Sequence, residues 1–147
     1  MVIAVVDGMG GSIGTQIVLQ LRQALPEETV IMALGTNAIA TGSMMKAKAT
    51  RGATGENAVA FSIVEAEIIM GSLSIVVPNS MMGEVTPKIA TAVASAPGRK
   101  ILLPVSNPPL DLLGISRKPL QQLIKDAIAL VQRHYGLLPE PEEGTDV

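Results

Sequence analysis

The chain has no cysteine and no tryptophan, and one each of phenylalanine, tyrosine and histidine among its 147 residues. The missing cysteines exclude disulfides, thiolate nucleophiles and cysteine-ligated metal, and a lone histidine excludes a histidine-rich metal site. Charged residues are scarce at 16% while hydrophobic ones reach 48%, against roughly 25% charged in an ordinary soluble domain. Much of the backbone is therefore expected to be buried, and some remaining apolar surface to meet a second copy, so a homo-oligomer is expected. Long apolar runs are also missing. The longest weakly polar stretch, Ile68 to Pro78, is about 11 residues against the ~20 that a spanning helix needs. No strong charge of either sign is present. Four of the 13 acidic residues, Glu140, Glu142, Glu143 and Asp146, lie in the tail, leaving nine against 11 basic ones elsewhere, too weak a balance to suggest a nucleic-acid partner. The opening Met1-Val2-Ile3-Ala4-Val5-Val6 has no basic residue ahead of it and no cleavage-like site. It reads as a strand rather than a signal peptide, with the cytoplasm as the expected compartment.

What is present is an alternation of strand and helix signals. Val2 to Val6 is a β-branched run suited to a strand buried on both faces of a parallel sheet. Glycines follow, and from Ser12 the residues Ile13, Ile17, Leu21 and Leu25 recur at helical spacing until Pro26. Thr29 to Leu34 reads as a second strand, followed by a helix to about Ala49 with Thr36 as its N-cap. Arg51 to Gly55 reads as a loop, Glu56 to Ala66 as a helix, and Glu67 to Met70 as a strand. For Leu73 to Val77 periodicity leaves strand and helical turn open. Thr86-Pro87 places a capping side chain before a proline suited to the first helical position, and that helix runs to Pro97-Gly98. Lys100 to Val105 is the last strand, and a stripe from Arg117 through Leu120, Ile124, Ile128 and Val131 marks a closing helix ending near Gly136. The pattern predicts an α/β fold, a Rossmann-like three-layer sandwich with a mainly parallel sheet. It occupies residues 1–138 as one nucleotide-binding domain, with 139–147 a disordered acidic tail.

The informative segment is Asp7-Gly8-Met9-Gly10-Gly11-Ser12-Ile13-Gly14, set between strand and helix. Gly8 suits the sharp turn, Gly10 or Gly11 admits a phosphate to the backbone, and Gly14 lets helix and strand pack closely. Free amides from Ser12 to Gly14, backed by the helix dipole, then favour an anion. Its spacing is similar to the nucleotide loops of short-chain dehydrogenases, although a strict G-x-G-x-x-G fails at Ile13 and no Walker lysine follows. The opposing reading is a purely structural turn. Asp7 argues against a bare phosphate, because like charges 4 Å apart cost about 1 kcal/mol in water and about 4 at intermediate dielectric. It fits an Asx-type turn accepting loop amides better than a metal or ligand role.

The second strand ends in Gly35-Thr36-Asn37, so the acid that would hold a ribose there is missing, although Thr36 and Asn37 can bond a ribose or 2′-phosphate. Lys46, Lys48 and Arg51 fit a solvated face better than a phosphate clamp. Asn79-Ser80 and Ser106-Asn107 fall at later strand ends, where carboxamides suit the edges of a base or sugar. Glu84 is read as an acid favoured ahead of a helix, Asp111 as a loop residue, and neither is paired by spacing with a second catalytic group. His134 and Tyr135 lie far from the glycines, and no tyrosine-lysine pair of the dehydrogenase kind is present.

Val2 through Gly14, with Ala33-Leu34-Gly35-Thr36-Asn37-Ala38, Gly52-Ala53-Thr54-Gly55-Glu56-Asn57-Ala58 and Asn79-Ser80-Met81-Met82-Gly83-Glu84, resembles a family of small bacterial proteins described as a domain of unknown function. The resemblance implies a Rossmann-like fold. It also implies a cysteine after the last strand, where this chain has Ser106-Asn107-Pro108-Pro109 instead, which removes a thiol role. Two functions stand at this point. One is binding of a nucleotide, of the NADP or NAD type, through Gly8, Gly10, Gly11, Ser12, Ile13, Gly14, Thr36, Asn37 and Asn79, with no reaction assigned. The other is a non-enzymatic metabolite regulator or assembly subunit whose glycines are structural.

Overall fold

Strand β1, Val2–Asp7, buries both of its faces. Ile3 and Val5 join the hydrophobic cluster on one side of the sheet, Ala4 and Val6 the cluster on the other. That period-2 division explains why the run is apolar without alternation. The computed structural model describes residues 1–105 and 109–142. Along them follow α1 (Ser12–Ala24), β2 (Val30–Gly35), α2 (Ala38–Lys46), β3 (Arg51–Thr54) and α3 (Glu56–Ser62), the last continued by a 3-10 turn, Ile63–Glu65. Then come β4 (Ile68–Ser72), a 3-10 turn Leu73–Val76, α4 (Pro87–Ser95), β5 (Arg99–Leu103) and α5 (Leu120–His134).

The five strands are parallel in the order β3-β2-β1-β4-β5. From β1 the chain steps outward to β2 and β3, then returns across the sheet to β4 on the other side of β1. Right-handed crossovers therefore put α1 and α2 on one face and α3 and α4 on the other, and α5 returns to the α1 side. The result is a Rossmann-like three-layer α/β sandwich. Its strand order reverses between β1 and β4, and in open parallel sheets ligands bind outside the carboxyl ends of the strands at such a point.

Several boundaries differ from the sequence reading. The segment from Arg51, read as a loop, is an edge strand whose register pairs Met32 with Arg51 and Gly35 with Thr54. Its mostly exposed residues and its glycine carry no strand signal, and the ladder offered by β2 decides the matter. α2 stops at Lys46, α3 gives way to its 3-10 turn after Ser62, and α5 begins at Leu120 after Pro119. The N-cap of α2 is Asn37, not Thr36: the Asn37 side chain accepts from the Ala40 amide at 2.9 Å. Thr86 caps α4 with Pro87 at its start, as the sequence predicts. The Ser106 and Asn107 expectations, and residues 143–147 of the expected tail, lie outside the described residues; 139–142 carry no helix or strand. Among the described residues no helix is long and apolar enough to cross a membrane.

Candidate functional site

β1 ends in the buried Asp7, whose carboxylate folds back on the glycine turn. Oδ1 accepts the Gly8 amide at 2.8 Å and Oδ2 the Gly14 amide at 2.7 Å. Asp7 thereby caps α1, whose own N-cap residue, Gly11, has no side chain to do so. Burial pushes its carboxyl above the ordinary value, the Gly14 and Gly8 amides pull it back, and the charge of Glu84 adds to the rise. The Gly14 amide is therefore not free, which corrects the expectation for that residue, and the Gly11 amide bonds the Gly8 carbonyl at 2.9 Å. The amides of Gly10, Ser12 and Ile13 have no partner among the described residues.

The four glycines separate by what a side chain would meet. At Gly8 a Cβ would lie 2.6 Å from Thr36 Oγ1 and 2.7 Å from Met81 Sδ, and at Gly14 2.6 Å from Met44 Sδ. At Gly11 it would lie 2.8 Å from the Ala40 Cα, on a backbone with φ of 75°. A valine at Gly11 would strain the turn and strike the backbone of α2, so it would test packing rather than ligand binding. At Gly10 a Cβ would meet nothing within 4 Å, and φ there is not positive. Nothing within the fold requires a glycine at 10.

Gly10 borders three hollows, two of which lie at the carboxyl ends of the strands. The first is a cleft of about 590 Å³ at the switch point, within the size range of ligand sites. Gly10, Gly11, Ser12 and Ile13 line it from β1, Ser72, Ser74, Asn79 and Ser80 from β4, and Val105 and Pro109 beyond β5. Ser72 and Ser80 are 2% and 8% exposed, and their hydroxyls have no hydrogen-bond partner among the described residues. Buried hydroxyls are ordinarily paired, so two open ones on one cleft point to a guest that completes them. Four non-glycine residues with left-handed backbone, Met9, Asn79, Met81 and Met82, line this same cleft. Backbone strain of this kind gathers at ligand sites.

The second hollow, a groove of about 620 Å³ at the end of β2, is lined by Met9, Gly10, Thr36, Asn37, Ala38, Ile39 and Glu84. Glu84 Oε1 accepts three hydrogen bonds, from Thr36 Oγ1 at 2.7 Å, Asn37 Nδ2 at 2.8 Å and the Met9 amide at 3.0 Å. The Thr36 hydroxyl, more than any other influence, holds the Glu84 carboxyl below its ordinary range. Thr36 and Asn37 therefore reach the site by fixing Glu84, and of the expected carboxamides among the described residues Asn79 alone lines the cleft between β1 and β4. Sequence reasoning missed Glu84 because its partners lie 47, 48 and 75 residues away; the Met81-Met82-Gly83 turn that delivers it has no local signature.

The remaining polar candidates lie elsewhere. Arg51 pairs with Glu65 at 2.6 Å on the surface, while Lys46 lines a separate hollow beside Gly10 and Ser12. Asp111 is exposed. Tyr135 contacts Glu67 at 3.4 Å, and Glu67 also accepts the Val2 amide, so this group belongs to the amino edge of the sheet. Among the described residues no three His, Cys, Asp or Glu side chains gather as metal ligands. The site can thus recognise and orient a ligand through amides, hydroxyls and a fixed carboxylate. Neither hollow at the strand ends offers a lysine or arginine, so an anion there would rest on the unpaired amides alone.

No curated protein matches the chain in sequence. Among solved structures, a dodecameric FMN-dependent UbiX-like decarboxylase from Escherichia coli O157:H7 is similar over 96% of each chain, with 14% identity and a TM-score of 0.46. A family model described as a domain of unknown function, DUF3842, matches residues 2–136, and the chain belongs to that family.

Proposed function

We propose that this chain binds a nucleotide of the NAD or NADP type, draped over Gly10 from the groove at the end of β2 into the cleft between β1 and β4. One observation carries the reading: Gly10 joins the two hollows, yet a Cβ placed there would meet nothing within 4 Å. A bare backbone at that ridge suits a ligand that must pass close to it. The amides of Gly10, Ser12 and Ile13 supply donors at the positive end of α1 for one phosphate group. Ser72 and Ser80 supply hydroxyls for the part of the ligand that enters the cleft. The likeness of the turn to short-chain dehydrogenase loops belongs to this reading; no reaction is assigned. The same reading includes a homo-oligomeric chain, since apolar side chains stand in solvent on α2, α3 and the segment 109–119.

The rival is a metabolite regulator or assembly subunit with a structural glycine turn. It is favoured by the packing roles of Gly8, Gly11 and Gly14 and by the Asp7 carboxylate on the Gly14 amide. Thermal melts with NAD, NADP, ATP and FAD separate the two. Ligand at 100 times its dissociation constant stabilises by about 2.7 kcal/mol. Gly10→Val is expected to fold like the parent and lose the shift. If no nucleotide moves the melting temperature, the proposal is wrong; if Gly10→Val keeps the full shift, the ligand lies elsewhere.

A further inference from the structure

In the dinucleotide-binding arrangement a carboxylate at the end of the second strand receives the ribose hydroxyls. This chain has Gly35-Thr36-Asn37 there and no acid. Its fold brings one to the same place from the loop between β4 and α4, since Glu84 is bonded to both Thr36 and Asn37. We propose that Glu84 is the receptor for the vicinal hydroxyls of the ligand's ribose, and that it selects a free 2′,3′-diol over a 2′-phosphate. The inference rests on the nucleotide reading above.

The geometry divides the labour between the two carboxylate oxygens. Oε1 is saturated by Thr36, Asn37 and the Met9 amide, which fixes the plane of the group. Oε2 accepts no hydrogen bond among the described residues. A carboxylate has about four acceptor positions, so Oε2 is left able to take two hydroxyl protons. Glu84 lines the groove that shares Met9 and Gly10 with the cleft, so a ribose placed on it leaves the rest of the ligand running over the glycine ridge. Gly8 has to be glycine for this carboxylate to approach, because a Cβ there would stand 3.2 Å from Oε1 and 2.6 Å from Thr36 Oγ1. Beside the diol site, Ala38 and the exposed Ile39 offer an apolar wall for a base. A 2′-phosphate would place its charge against Glu84, with no lysine or arginine among the residues lining the groove to offset the repulsion.

Calorimetric titration of the full chain tests this. The parent is expected to bind NAD about tenfold or more tightly than NADP, and AMP about fivefold or more tightly than 2′-deoxy-AMP. Glu84→Gln keeps an oxygen for Thr36, Asn37 and Met9 but puts an amide donor where Oε2 stood. It is expected to fold, to weaken NAD binding, and to narrow or reverse the preference over NADP. The parent measurements stand even where that variant fails to fold. Equal or tighter binding of NADP by the parent, no loss on removal of the 2′-hydroxyl, or an unchanged NAD to NADP ratio in a folded Glu84→Gln protein would each overturn the role of Glu84 while leaving nucleotide binding intact. If neither NAD, NADP nor AMP binds, both readings fall together.

Discussion

Asp7 and Glu84 flank one glycine turn, and their surroundings move their titrations in opposite directions. Asp7 is raised above 3.8, chiefly by burial. Its contribution to stability is fully present below that value and is lost as pH rises through its folded-state titration. Glu84 is lowered below 4.5, chiefly by the Thr36 hydroxyl, so its contribution is present above 4.5 and is lost as pH falls through its folded-state titration. Asp7→Asn separates the two. Its side-chain oxygen still accepts the Gly14 amide, but its nitrogen faces the Gly8 amide, leaving one donor without an acceptor at a cost of about 1–3 kcal/mol. The variant is expected to melt below the parent at acid pH, with the gap narrowing as pH rises, because only the parent loses stability as Asp7 ionises. Melting curves from pH 3 to 7 would show it, and a gap that widens toward neutrality would contradict the burial of Asp7. That the Asp7 carboxylate accepts amides of the glycine loop was readable from one aspartate beside closely spaced glycines, but no Asx turn forms, because the amide two residues on, that of Met9, bonds Glu84 instead. The hub at Glu84 was not readable, because the donors converging on it come from two other connections, β1 to α1 and β2 to α2, and only the folded sheet brings them together.

At the level of elements, local chemistry decided what the sequence could show. Thr86 and Pro87 announce α4 because capping and proline preference act within four residues, and Thr86 Oγ1 does accept the Ile89 amide at 3.2 Å. β3 is invisible beforehand because Arg51–Thr54 owes its extension to β2 alone. The connection from β4 to α4 was equally silent, and it is the strained part of the site. Met81, Met82 and Gly83 turn with φ of 57°, 57° and 90°, bridged by the Glu84 amide to the Met81 carbonyl at 3.1 Å. Met82 is 94% exposed, so its side chain contributes almost no burial to offset a left-handed backbone that costs an L-residue about 1–2 kcal/mol. Met82→Gly relieves that cost less the larger entropy loss of glycine, and is expected to raise stability by up to about 1 kcal/mol. Met82→Val, β-branched, is expected to lower it by more than about 1 kcal/mol. Urea unfolding of both variants checks the pair, and a Met82→Gly protein less stable than the parent would mean that the methionine packs against something.

The whole molecule carries more apolar surface than its core consumes. The two clusters flanking the sheet take up the strands and the inner faces of all five helices. Phe61 is nevertheless 75% exposed and Val64 58%. Three residues apart on the turn that runs from α3 into its 3-10 extension, they share one face. Burying a phenylalanine is worth roughly 1.5–3 kcal/mol, so the sole phenylalanine of a 48% hydrophobic chain standing in water points to a partner, and the chain itself is the partner always at hand. Light scattering is expected to give a mass that is a multiple of 15.3 kDa. Phe61→Glu is expected to lower that mass toward a single chain, because a charge desolvated at a self-complementary contact is repeated on both copies. Far-ultraviolet dichroism should stay unchanged, since a side chain so exposed supports little within its own chain. A parent that scatters as a monomer at micromolar concentration would leave Phe61 and Val64 without this explanation, whereas an oligomer indifferent to Phe61→Glu would move the contact to the exposed leucines between 109 and 119.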